Sequence, residues 1–259
     1  MDFLKSSKRR TLLSELAYIA LNIALAAAIL AVVVVTESIL AGMGLVLLSK
    51  WRVFAVRTRY WMANIKANLV DTIVGLSVVV LISAATGAFV AQVILTLLYV
   101  AWLLLIKPRS KRVFVAIQAA TAVFFGVTAL MTISYSWPAT AVVIGMWVIG
   151  YASCRHILST YEEAHSSFYS LVAGLFYAEL GWLAYHWTFA YDLPLFGAVK
   201  IPQVALIGLA LTFLGERVYA SYRRHDHIRS ADVLLPALLS TSIILIVLFF
   251  FNRIGTGSL

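Results

Sequence analysis

Lys107 to Ser134 reads KPRSKRVFVAIQAATAVFFGVTALMTIS, a knot of cations followed by a long apolar run without a charge. A helix needs about 20 such residues to cross about 30 Å of hydrocarbon. Entered from a block of Lys and Arg, this run reads as a spanning helix that starts on the cytoplasmic side. Eight further apolar segments flank it, so the expected spans are 12–35, 39–56, 69–85, 88–106, 113–134, 138–154, 167–190, 202–220 and 233–251. Nine crossings put the N-terminus in the cytoplasm and the C-terminus outside. All of the 20 Lys and Arg then fall on the inner side except Lys200 and Arg253. The expected fold is an all-α, polytopic integral membrane helix bundle, one transmembrane domain over residues 1–259.

Composition supports the class. At 63% apolar and 12% charged residues, the chain lies far from the soluble average of about 45–50% and about 25%. The spans and short loops leave no room for a separate soluble domain. A net charge of +9 would suit a nucleic-acid partner if it formed one patch. Here the cations are spread over every second loop, which argues for a bilayer and against nucleic acid. Cys154 is the single cysteine, which excludes an intrachain disulfide and any multi-cysteine metal site.

Two boundaries need argument. Lys5, Lys8, Arg9 and Arg10 before Leu12–Val35 imitate a signal peptide, but the apolar run exceeds the usual 7–15 residues, so a retained first helix is expected. Lys50 and Arg52 enter the second span early and must snorkel to the interface. One helix from Leu12 to Leu48 would be about 55 Å long, too long to cross comfortably. Two helices joined at Thr36–Ser38 are therefore expected. Pro138, Pro202 and Pro236 fall near first turns, where a missing N–H costs least. Trp51, Trp61, Trp137 and Trp187 mark the interfaces as an aromatic belt. Residues Gly255–Leu259 read as a frayed outer tail.

No phosphate loop, H-E-x-x-H pair, C-x-x-C or G-x-S-x-G elbow occurs in the chain. The ninth span lacks the Lys a retinal Schiff base needs. His225 and His227 flank Asp226, but Arg223, Arg224 and Arg229 would repel a dication. No metal or cofactor is expected. Glu162-Glu163 with Trp182-x-x-x-His186 resembles the paired motif of CAAX-processing intramembrane proteases. The Arg expected after the glutamates is absent, no further spanning His follows, and the two halves fall near opposite membrane faces. Ser159-x-x-Glu162 and Thr160-x-x-Glu163 also fit capping boxes opening the seventh helix. Asp71, Glu216 and Asp232 lie near inner helix ends beside Lys and Arg, where ion pairing and capping account for them.

Glu179 remains. It lies about 18 Å into the seventh span, near the bilayer midplane, where an ionisable group costs at least about 2.5–3.5 kcal/mol and usually faces the bundle interior. His186, two turns on, and Trp182 share its face. The surrounding segment is dense in aromatic residues, so Glu179, Trp182 and His186 are expected to line an outward-opening cavity for a ligand or coupling ion. The competing reading is a protonated carboxyl bonded to Asn22 or Gln118. Arg52, Arg57, Arg59 and Lys66, mixed with aromatics, are expected to contact anionic lipid on the cytoplasmic side. The preferred function is small-molecule or ion transport through an intramembrane carboxylate. The alternatives are a membrane-embedded enzyme on a lipid-type substrate and a non-catalytic scaffold joined to a membrane-protein partner or a second copy. The expected location is the plasma membrane of a prokaryote. Compartment-specific reporters fused to the two termini should report opposite sides; a shared side would exclude an odd number of crossings.

Overall fold

The computed structural model describes residues 2–187, 189–192, 196 and 199–249. Among them the chain forms nine helices in the expected order: α1 (Asp2–Thr36), α2 (Ile39–Ser49), α3 (Trp61–Ala84), α4 (Phe89–Ala101), α5 (Arg112–Ile133), α6 (Ala139–Leu158), α7 (Ser166–His186), α8 (Gln203–His225) and α9 (Ser230–Phe249). Seven of the helical segments are long and apolar enough to cross a membrane, which makes the molecule a multi-pass bundle of the kind found in integral membrane proteins. The two exceptions have different causes. α2 has only 11 residues, about 16 Å of helix. α7 is long enough at 21 residues, but Glu179, His186 and its hydroxyl side chains lower its hydropathy.

Local chemistry explains the boundaries. Glu37 adopts a left-handed φ of 50° between α1 and α2, and the Ser38 hydroxyl accepts from the Ala41 N–H at 3.3 Å, capping α2. The second expected span, 39–56, is helical only to Ser49; a 3-10 turn follows at Trp51–Val53. Pro138 and Pro202 are the N-caps of α6 and α8, as their fixed φ favours. α9 starts earlier than expected, at Ser230, so Pro236 falls inside the helix, beyond its first turn. In the loop before α8, strand β1 (Ala190–Asp192) pairs antiparallel with β2 (Lys200–Pro202). The tail at Gly255–Leu259, Pro194 and Arg253 lie outside the described residues.

Successive helices run antiparallel, and side-chain links place their ends. At one end the Gln118 amide donates to the Ile106 and Arg109 carbonyls at 2.8 and 2.9 Å, while His156 Nε2 bonds Gln118 Oε1 at 2.6 Å. This ties α4, α5 and α6 together. Tyr18 of α1 donates to the Leu103 carbonyl at the same end. At the opposite end Gln92 donates to the Ile82 carbonyl at 3.0 Å, and Tyr185 to the Trp137 carbonyl at 2.8 Å. Gln92 and Gln118 thus link neighbouring helices. Asn22 does not: its amide bonds the Tyr18 carbonyl one turn back in its own helix.

Two large cores, beside a small one of Ala119, Ile157 and Tyr161, divide the bundle. Ile29, Val79, Ile82 and Leu95 centre the one formed by α1–α4. Val123, Val142, Met146 and Tyr177 centre the one formed by α5–α8. α9 packs mainly on α8, with only 11% of its apolar window buried. The first core holds an ionic cluster. Asp71 Oδ2 bonds Lys50 Nζ and lies 2.9 Å from Lys107 Nζ, and its other oxygen accepts from Trp102 Nε1 at 3.4 Å. Lys50 closes the short α2, and Lys107 follows the five-residue π-helical turn Trp102–Ile106 that ends α4. One carboxylate therefore joins the ends of α2 and α4 to α3. Removing a single partner from such a cluster leaves uncompensated buried charge, at a cost of about 3–5 kcal/mol. Asp71→Ala should destabilise the detergent-solubilised protein by that amount in thermal unfolding, and Lys50→Met/Asp71→Leu should recover most of the loss.

Candidate functional site

Glu179, Trp182 and His186 share one face of α7 as their spacing requires, and the Trp182 and His186 rings lie 4.8 Å apart. That face points out of the bundle: all three are exposed. Among the described residues no hydrogen bond or ion pair reaches Glu179, and Asn22 and Gln118 are engaged elsewhere. The reason lies on the opposite side of the helix. Ser170, Gly174, Tyr177, Gly181 and Ala184 form the buried stripe of α7, and Glu179 is rotated about 200° from Tyr177 at 100° per residue. The stripe faces α6. A Cβ on Gly150 would come within 2.6 Å of the Tyr177 ring, and one on Gly181 within 2.6 Å of Met146. Small residues here let the two helices close almost to backbone contact.

Because α7 is drawn onto α6, it barely touches α8. A groove of about 420 Å³ remains between α6, α7 and α8. Its walls are mostly apolar, with Ile157, Phe176 and Leu211 among them. Tyr177 Oη is satisfied inside the wall, donating to the Gly208 carbonyl at 2.8 Å and meeting Thr212 Oγ1 at 2.6 Å. Ser153 also lines the groove, and its Oγ is buried without a hydrogen-bond partner among the described residues. Cys154 lies beside it on the same wall.

Toward the basic end of α8 the groove runs past Glu216 to Tyr222, and Glu216 also lines a second pocket of about 390 Å³. Four arginines surround that pocket: Arg112 from α5, and Arg217, Arg223 and Arg224 from α8. Glu216 accepts from Tyr161 Oη at 3.3 Å and lies 3.3 Å from Arg217 Nε. Arg112 stacks over the Tyr161 ring at 4.7 Å, and Arg223 donates to the Tyr161 carbonyl at 2.8 Å. Four guanidinium groups thus face one carboxylate in the lining. Arg is suited to such a place because its planar fork binds phosphate in two directions.

The α6–α7 connection buttresses this pocket, and here the structure corrects the capping boxes. Ser159 and Thr160 are still in the final turn of α6, their hydroxyls bonding the His156 and Ile157 carbonyls at 2.7 and 2.8 Å. The chain turns at Glu162, whose φ is 51°, and α7 begins only at Ser166. Glu163 instead reaches α8, accepting a short hydrogen bond from Tyr219 and lying 3.5 Å from Arg223. The protease-like constellation is also not assembled. The full length of α7, about 30 Å, separates Glu163 from His186.

The remaining expected residues are spread out. Arg57 and Arg59 are exposed beside the start of α3, Arg59 stacking over Tyr60 at 4.6 Å, and Lys66 is half-buried within α3. The side chain of Arg52 lies outside the described residues. His225 pairs with Asp232 at 3.1 Å, not with Asp226. Asp71, Glu216 and Asp232 form ion pairs as expected, but Asp71 and Glu216 do so from inside α3 and α8 and not from their ends.

No family model, curated protein or solved structure matches this chain.

The Glu163 carboxyl is held below its ordinary value of 4.5, first by the Tyr219 hydroxyl and then by the His165 N–H, with Arg223 adding to both. A carboxyl depressed in the folded state stabilises fully above its unfolded value and loses that contribution as pH falls through the folded one. The fall in melting temperature on acidification below about 4.5 should therefore be shallower in Glu163→Gln than in the wild type.

Proposed function

We propose that this chain is a nine-span membrane protein that binds a phosphate-bearing lipid. The phosphate lies among Arg112, Arg217, Arg223 and Arg224, and the hydrocarbon lies in the α6–α8 groove. The single observation behind this reading is the shared wall at Glu216, where an apolar groove adjoins a pocket lined by four guanidinium groups. An amphiphile matches both halves, whereas a small polar solute matches only one.

The proposed topology keeps the N-terminus in the cytoplasm and the C-terminus outside. Parity supports the ninth crossing despite the short α2. α1 leaves the end marked by Tyr18 and Leu103, and Lys50 has returned to the end marked by Asp71 and Lys107 before α3 departs from it. The segment 39–56 therefore makes the return, the Lys50 side chain covering the final distance. The excess of Lys and Arg at this end favours the cytoplasmic face of a prokaryotic plasma membrane, so the lipid is drawn from the inner leaflet. Arg57, Arg59 and Lys66 add a surface attraction for the same anionic lipids.

Of the three classes the sequence raised, this is the one with a lipid-type substrate, and no chemical step is assigned to it. Transport of a small solute through Glu179 is set behind it, because Glu179, Trp182 and His186 line none of the cavities described and face outward. Purified protein should be stabilised by dioleoyl phosphatidic acid and not by phosphatidylcholine. A ligand at 100 times its Kd contributes about 2.7 kcal/mol. Arg112→Gln/Arg224→Gln, which spares the Arg223 tether, should abolish the shift, and Glu179→Gln should preserve it. Equal stabilisation by both lipids would overturn the reading, and loss of the shift in Glu179→Gln would return Glu179 to the centre.

A further inference from the structure

A third cavity, about 690 Å³, continues along α7 and α8 toward the β-hairpin end, closed at its side by Ile244 and Leu248 of α9. Leu211 lines both this cavity and the groove below it. The two are therefore halves of one furrow with Leu211 at its waist. On α8 their lining runs from Gln203 to Tyr222, about 28 Å at 1.5 Å per residue. That is close to the whole hydrocarbon thickness of about 30 Å. A lipid confined to one leaflet fills only about half of such a length.

The ends of the furrow are unlike. One meets the four arginines, while the lining of the other is uncharged, with Trp187 and Gln203 as its polar-capable residues. Gln203 already donates to the Val247 carbonyl. Two opposed phospholipids would need an anion site at each end, and the furrow offers one. We infer that the furrow takes a single lipid monophosphate whose one hydrocarbon chain is longer than a leaflet, as in a polyprenyl phosphate. Its phosphate sits in the arginine pocket and its chain passes Leu211 into the α7–α8–α9 cavity. The inference rests on the lipid-phosphate reading and narrows its ligand.

The test uses the full chain in phosphatidylcholine nanodiscs, with undecaprenyl phosphate, dodecyl phosphate and dioleoyl phosphatidic acid as probes. Binding is read by native mass spectrometry and by protection of Cys154 from N-ethylmaleimide. Undecaprenyl phosphate should bind one per chain, at least ten-fold tighter than dodecyl phosphate. Ile244→Trp, placed on α9 in the far half alone, should bring the long chain to the affinity of the short one and leave dodecyl phosphate unchanged. Leu211→Trp, at the waist, should weaken the long chain more than dodecyl phosphate. Equal wild-type affinities for the long and short chains, or two phosphatidic acid molecules bound more tightly than one polyprenyl phosphate, would overturn the inference and leave lipid-phosphate binding standing. Failure of all three probes to bind would overturn both.

Discussion

The close approach of α6 and α7 is the constraint from which the candidate site follows. Gly150 under the Tyr177 ring and Gly181 under Met146 leave no room for a Cβ, so the helices pack almost backbone to backbone along their length. In a bilayer this kind of contact is favoured because lipid tails are as apolar as leucine, and association depends on packing and on interhelical hydrogen bonds. Holding α7 against α6 draws it away from α8, which packs instead on α5 and α9. The furrow is the space this division of partners leaves. Tyr177 takes part on both sides, filling the glycine face of α6 and bonding Gly208 and Thr212 of α8 through its hydroxyl. It thereby sets how far α8 stands off without closing the gap.

Charge is distributed differently in the two cores. In the α1–α4 core, Asp71 is enclosed by Lys50, Lys107 and Trp102. All three ligating groups come from the ends of elements that α3 faces, so the cluster acts as a tether. At the base of the α5–α8 core the acids are paired too, Glu216 with Tyr161 and Arg217, Glu163 with Tyr219 and Arg223. Arg112 and Arg224 add further positive charge around that pocket. Buried cations around a paired acid complete a fold, while exposed arginines in excess of the acids leave net positive charge at a surface pocket. This difference separates the two clusters, though their compositions look alike in the sequence.

Glu179 shows how spacing places residues on one helical face without saying where that face points. Its depth in α7 and its alignment with Trp182 and His186 follow from helical spacing alone. The direction of that face does not. The signal was available in Gly174, Gly181 and Ala184, whose stripe of small residues marks the side on which another helix packs closely. Following it would have turned Glu179 outward. The misplaced capping boxes have a similar origin: Ser159-x-x-Glu162 and Thr160-x-x-Glu163 satisfy the pattern, but their hydroxyls fall in the last turn of α6, where the preceding carbonyls are nearer than any following N–H.

The sequence by itself determined the helical class, the order and approximate limits of the helices, the proline-started α6 and α8, and the pairing of acids with bases. These follow from apolar run length, a missing N–H, and the placing of acids and bases on the same side of the bundle. Tertiary structure alone decided that α7 pairs with α6 and not with α8, that Leu211 joins two cavities, and that Arg112 meets three arginines more than a hundred positions away. Helical periodicity gives the direction of a face within its own helix but not the helix it meets. Which neighbour it meets depends on surface shape, here the glycine notches of α6 against the side chains of α7, and that complementarity exists only once both helices are in place.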